Sequence, residues 1–137
     1  VWKMRPEAGA PAVRVTRGGG YAALESADGK TLYFARGAAG WSVWKVPVEG
    51  GEETLVLPEI PNWGAFDVTG TALYYVVSAD RKHQLRRLRF ADGADELLLA
   101  LERPYDFGVS AAPDDSAVLF SRRDVDSSDL MLVEGVR

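Results

Sequence analysis

The chain has 137 residues, 47% hydrophobic and 26% charged, with a formal net charge of −4. That is the balance of a globular protein with a core, and at this length folding buries roughly two-thirds of the unfolded surface. The absence of cysteine and the single histidine, His83, exclude disulfides, iron–sulfur clusters, thiolate zinc and a multi-histidine metal centre within one chain. The acidic balance argues against a dedicated nucleic-acid or anionic-membrane surface.

No apolar run is long enough to span a membrane, and no segment has the charged start and apolar core of a signal peptide. The chain begins at Val1 without an initiator methionine and reads as a processed product or an excerpt of something longer.

Taken in order, the residues repeat. Val1-Trp2-Lys3-Met4 returns as Val43-Trp44-Lys45-Val46 and as Leu85-Arg86-Arg87-Leu88, each 42 residues on. Gly9, Gly51 and Gly93 share that step, as do Val13, Leu55 and Leu97, then Val15, Leu57 and Leu99, and Tyr21, Trp63 and Tyr105. Several rows in one register point to duplication of a structural unit.

The unit is read as four short strands, A to D. Residues 1–16 supply strands C and D of a first unit. Residues 21–57 form a complete unit. Its first strand turns at Asp28-Gly29, where glycine accepts a positive φ without steric cost. Thr31-Leu32-Tyr33-Phe34 follows, rich in β-branched and aromatic types. An alternating strand over 42–48, a Gly50-Gly51 turn and Thr54-Leu55-Val56-Leu57 complete it. Residues 63–100 form a second complete unit, and residues 106–134 supply A, B and C of a third, whose outer strand is missing. The expected fold is all-β: a β-propeller of four-stranded antiparallel blades, with about three and a half blades in this chain. Such a segment is a partial ring or half of an oligomeric ring, closed by the remaining blades of a longer chain or by self-association.

Ser26-Ala27-Asp28-Gly29-Lys30-Thr31-Leu32-Tyr33-Phe34, followed by Val43-Trp44-Lys45-Val46-Pro47-Val48-Glu49-Gly50-Gly51, resembles the TolB-type, WD-like propeller repeat. Ala27 stands where that family has proline, and Ala112-Pro113-Asp114 keeps the proline but lacks the glycine. The end of the chain, Ser128-Asp129-Leu130-Met131-Leu132-Val133-Glu134, resembles the last blade in the sensory half of large bacterial regulators with winged-helix or serine/threonine kinase domains. The resemblance implies a C-terminal sensor or docking module, non-catalytic, with a protein or small molecule as partner and a lean toward the periplasm. Two other readings stand beside it. Propellers of this repeat type also gate serine-peptidase domains, and an aromatic rim also suits carbohydrate.

Candidate chemistry is sparse. Gly108-Val109-Ser110-Ala111-Ala112 approaches a nucleophile elbow, but it lies on an expected innermost strand, and His83, the only available base, lies in another unit. Glu25 and Asp67, 42 residues apart, are equivalent positions on inner strands; they either line the central channel or orient the A–B turns. Asp124, Asp126 and Asp129 form an acidic loop that reads as a solvated turn, with a weak calcium site as the alternative and no other cofactor expected. Arg81, Lys82, His83, Arg86, Arg87 and Arg89 form a basic run, expected to be an exposed strand balanced by nearby aspartates. Trp2 and Trp44 are expected in the core. Tyr21, Trp63 and Tyr105, at the D-to-A connections, and Trp41, at a B–C loop, belong to the channel mouth. With Arg17, Arg36 and Arg103 they either form a ligand or partner surface or pack between units.

Overall fold

A computed structural model describes residues 1–79 and 82–123. Among these residues it is all-β, twelve strands in four antiparallel sheets and no helix, so no helix is long and apolar enough to cross a membrane. The strands are β1 (Trp2–Lys3), β2 (Val13–Arg14), β3 (Tyr21–Glu25), β4 (Thr31–Gly37), β5 (Trp41–Pro47), β6 (Thr54–Ile60), β7 (Phe66–Val68), β8 (Ala72–Ala79), β9 (Lys82–Arg89), β10 (Asp95–Leu101), β11 (Tyr105–Ala111) and β12 (Val118–Arg122). β3 to β6 form one four-stranded meander and β7 to β10 a second; β1 pairs with β2, and β11 with β12.

The turns explain why the chain reverses where it does. In the first meander the Ser26 and Thr31 backbones pair, and Gly29 takes φ +69°. The Ser26 hydroxyl and the Lys30 N–H both donate to Asp28 Oδ1, at 2.6 and 3.1 Å. These donors pull the Asp28 carboxyl below its ordinary value, the Ser26 bond contributing most. Ala112 to Ala117 repeats the turn, with Ser116 donating to Asp114 Oδ1 through its hydroxyl and its N–H at 2.6 and 3.1 Å. There Asp115 occupies the glycine position at φ +59°, which aspartate tolerates better than most residues. The glycine row of the repeat also has its cause: Gly9, Gly51 and Gly93 all adopt positive φ in the C–D turns.

Both outer strands carry the same irregularity. Val43 opposes Leu57 and Trp44 opposes Leu55, skipping Val56; Leu85 opposes Leu99 and Arg86 opposes Leu97, skipping Leu98. One extra residue at the equivalent place in each meander is a β-bulge that bends the strand and raises its twist.

The sheets pack in chain order. Leu32, Phe34 and Val46 of the first meander meet Val15 in one buried cluster, with Val1 and Trp44 against it. The opposite face carries Tyr33, Ala35, Val43 and Leu57. These join Phe66, Leu73, Tyr75 and Val76 of the second meander, then Tyr105 and Val109 of β11, in the main core. Because β4 and β8 lie between two layers, they are buried on both faces over Leu32–Ala35 and Ala72–Val76. A strand covered on both sides reads as a continuous apolar run rather than an alternating one. The first strands touch in succession, β3 against β7 and β7 against β11.

Polar groups tie the second meander to β11 and the turn after it. The Ala111 N–H donates to Asp67 Oδ2 at 2.7 Å, and the Thr71 hydroxyl and Tyr74 phenol donate to the Asp115 carboxylate at 2.5 and 3.1 Å. Asn62 spans the same junction, accepting from Gly64 N–H and donating to the Asp106 carbonyl, both at 3.1 Å.

Trp2 departs from expectation. It is 64% exposed, because β1 and β2 form the first layer and no described residues cover the side away from the first meander. Trp44 does pack against the smaller cluster.

Candidate functional site

In each meander the D-to-A connection and the B–C loop fall at the same end of the strands. Aromatic side chains gather there. Tyr21 opens β3 and is 57% exposed; its ring meets Trp41, at the start of β5, edge to face at 5.3 Å. Trp63, just before β7, is 41% exposed and meets Phe107 of β11 at 4.7 Å, again edge to face. Such pairs favour this geometry because the positive ring edge meets the negative face.

Glycines seat both pairs. A Cβ on Gly37 would lie 2.9 Å from the Trp41 ring, and one on Gly64 would lie 2.6 Å from the Phe107 ring. Neither contact is possible for a larger residue unless the ring moves. Gly64→Ala is therefore expected to displace Phe107, break its contact with Trp63 and destabilise the chain by about 1–3 kcal/mol. Near-ultraviolet circular dichroism should lose its aromatic signal in that variant before far-ultraviolet strand signal is lost on heating. An unchanged near-ultraviolet spectrum would mean the ring accommodates the methyl.

Phe107 was not anticipated. It lies where the β11 pairing shifts, between Tyr105 and Val109, so period-two alternation gave no signal for it. Tyr105 itself is buried, 5% exposed, against the His83 ring at 5.8 Å. It belongs to the packing alternative and not to a surface. Its N–H donates to His83 Nδ1 at 3.3 Å, so the single histidine serves this junction. Burial pushes the Tyr105 phenol up from its ordinary value. Tyr21 stays exposed beside a local irregularity, with Ala22 at φ +46° and a pairing shift between Tyr21 and Leu24; the pairing shifts after Tyr105 too, and there the His83 ring packs on the tyrosine. A residue out of register with the pleat loses the period-two alternation.

The three arginines separate. Arg36 lies over the Trp44 ring at 4.5 Å and pairs with Glu53, both side chains mostly buried. Burial pushes Glu53 up, but the Arg36 guanidinium and the Arg17 N–H, 2.6 Å away, outweigh it and hold the carboxyl below its usual value. Glu53 thus joins Arg36 of the first meander to the connection at Arg17. The side chains of Arg17 and Arg103 are exposed. Arg103 borders a cleft with Lys82, His83, Leu101, Glu102 and Pro104.

Of the two inner-strand carboxylates, Glu25 is exposed and Asp67 is half-buried, accepting from Val68 N–H at 2.8 Å as well as from Ala111. Asp67 bridges β7 and β11. Three arginines of the basic run are matched by acids. Arg86 pairs with Asp95, Arg87 with Glu96, and Arg89 with both Asp92 and Glu96. Arg81 and the acidic positions Asp124, Asp126 and Asp129 lie outside the described residues. Among the described residues no three potential ligands cluster in a way that would hold a metal ion.

No known family profile matches the chain, and no curated protein is significantly similar to it.

Proposed function

We propose that this chain is a stretch of β-propeller acting as a non-catalytic binding module, a sensor or protein-docking element of a larger bacterial regulator. The single observation that carries the binding reading is the pair of glycine-seated aromatic contacts, Tyr21–Trp41 and Trp63–Phe107, whose Tyr21, Trp63 and Phe107 rings are exposed at one end of the strands. Large rigid side chains held in place at a surface lose little entropy on binding, which makes aromatics strong interface anchors.

The propeller reading is supported by two four-stranded meanders that pack face to face in chain order, with their first strands in succession. Inner strands that converge while outer strands diverge are what a radial arrangement requires. A ring needs at least about four blades, so further residues of a parent chain or a second copy complete it. The non-catalytic reading is supported by His83, whose Nδ1 accepts the Tyr105 N–H and so carries no proton to share with an orienting carboxylate, as the base of a triad does.

The test is the double substitution Tyr21→Ala with Trp63→Ala. A partner captured by the parent chain should be lost, with a drop in affinity of at least roughly a hundredfold for two anchors, while the far-ultraviolet spectrum stays unchanged. Glu52→Ala, at the opposite end, should leave binding intact. Equal binding by the double variant would remove this face from the proposal.

A further inference from the structure

The first and last layers of the stack are half-units, and they are different halves. β12 pairs with β11 and β1 with β2, and neither β12 nor β1 has a second neighbour among the described residues. By the repeat, β11 and β12 correspond to β3 and β4, the first two strands of a meander, and β1 and β2 correspond to β5 and β6, the last two. The strands lacking at one end are the strands present at the other. The exposed apolar side chains follow the same division. Trp2 and Met4 share rows with Trp44 and Val46, which pack against the layer before them, yet Met4 is 59% exposed and Val46 1%. Leu119 shares the row of Tyr33 and Tyr74, and Leu99 that of Leu57; those three partners are buried against a neighbouring layer and the two leucines are exposed.

We infer that a second copy of this chain closes the stack, with β1 of one copy pairing to β12 of the other so that β11, β12, β1 and β2 form one shared four-stranded unit. The inference rests on the propeller reading and names what completes the ring. The register carries over from the complete meanders, where Phe34 opposes Trp44 and Leu32 opposes Val46, and Tyr75 opposes Arg86 and Leu73 opposes Leu88. In the shared unit Phe120 then opposes Trp2 and Val118 opposes Met4, an aromatic pair and an aliphatic pair of the kind that stabilise neighbouring strands. The Trp2 and Met4 face turns toward Leu99 in the second meander of the copy that supplies β12. Leu119 turns toward the first meander of the copy that supplies β1. Twofold symmetry makes this junction twice, and closure consumes free edges that would otherwise invite open-ended association. Two copies contribute four meanders of their own and two shared ones, within the range of about four to eight blades that a ring takes. Leu130-Met131-Leu132-Val133, outside the described residues, is the other candidate for the β12 edge. It would leave Trp2 and Met4 bare, whereas a second copy covers both ends of the stack at once.

The experiment is light scattering on the purified chain over a wide range of concentration, with far-ultraviolet circular dichroism beside it. The expected mass is twice that of one chain and does not grow further. Trp2→Asp and Leu119→Asp, both at exposed positions, should each weaken self-association at least roughly a hundredfold with the strand signal unchanged. An equimolar mixture of the two variants should regain a dimer, because one of its junctions joins an intact Trp2 to an intact Leu119 and a junction broken by one aspartate loses little to a second. A misfolded variant could not give that rescue. Tyr21→Ala/Trp63→Ala should remain dimeric, since the aromatic face lies apart from the junction. A folded monomer would overturn this inference and leave the propeller reading standing, with further residues of a parent chain closing the ring. A dimer broken by Trp2→Asp alone, without rescue by the mixture, would mean like faces meet and would also overturn it. A mass that keeps growing with concentration would mean that the junction forms without closing, which would overturn both this inference and the radial arrangement.

Discussion

Tyr74→Ala is expected to lower unfolding free energy by about 4 kcal/mol, within the range for truncating a large buried aromatic. Tyr74 is 2% exposed and sits in β8, between the first meander and β11. Its ring lies on the face that also carries Asp67, and its phenol donates to Asp115 at 3.1 Å across the junction. The substitution empties the middle of the stack and leaves the Asp115 carboxylate with one hydroxyl partner fewer. Against a total stability of about 5–15 kcal/mol for a domain of this kind, the variant stands close to unfolding at ambient temperature. Tyr74→Phe separates the two contributions. It keeps the ring and removes the hydrogen bond, and Asp115 keeps Thr71, so the expected loss is about 1–2 kcal/mol. Urea titration followed by tryptophan fluorescence measures both. A loss below about 1 kcal/mol for Tyr74→Ala would mean the layers are not closely packed there.

Much of this was legible because local rules and packing agreed. Leu32-Tyr33-Phe34-Ala35 and Leu73-Tyr74-Tyr75-Val76 are runs without alternation. They lie between two layers, and their uniformity is the trace of that burial. The glycine row was legible for a conformational reason, since each member takes a positive φ in a C–D turn. Register in the sequence did not settle surroundings, however. Leu57 is 7% exposed and Leu99 46%, though they oppose equivalent partners through the same bulge. Leu57 faces the second meander, whereas Leu99 faces the side of β11 and β12, where the described residues form only two strands. Leu119, 71% exposed, stands at the position of Tyr33 and Tyr74 with no described layer beyond it. Exposure at Trp2, Leu99 and Leu119 thus follows from position in the stack, which a repeat cannot reveal.

The site was legible in part for the same reason. Tyr21 and Trp63 could be placed at one end from strand order alone. Tyr105 shared their row, but the packing of His83 on it is a tertiary event that gives equivalent residues opposite fates. Asp67 was recognisable as equivalent to Glu25, yet its partner, the Ala111 N–H, comes from a strand 44 residues away. The ion pair of Arg36 with Glu53 is likewise non-local.

Raising the pH should unfold the chain between about pH 10 and pH 12, and the cause lies in its tyrosines. Burial raises the phenols of Tyr33, Tyr74, Tyr75 and Tyr105 above their ordinary value. For Tyr75 burial comes first and the Asp95 carboxylate, which accepts its proton at 2.9 Å, adds to it, so the phenol is pushed up to about 12. The unfolded chain ionises these groups near pH 10. A group whose folded value is raised contributes stability that is fully present below its unfolded value and is lost as pH rises through the folded one. The acid side runs the other way. Asp28, Asp92, Asp114 and Asp115 are held below their ordinary values by hydrogen-bond donors, so their contribution is present above about pH 4 and fades below it. Stability should therefore form a plateau from roughly pH 5 to 9 with an edge on each side. The measurement is tyrosinate absorbance followed beside far-ultraviolet circular dichroism from neutral to alkaline pH. The buried phenols should ionise together with loss of strand signal, in a transition steeper than a single titration, and Tyr75→Phe should move that transition to higher pH. Full tyrosinate absorbance near pH 10 with the strand signal intact would show that these rings are open to solvent, and the layered core described above would then be wrong.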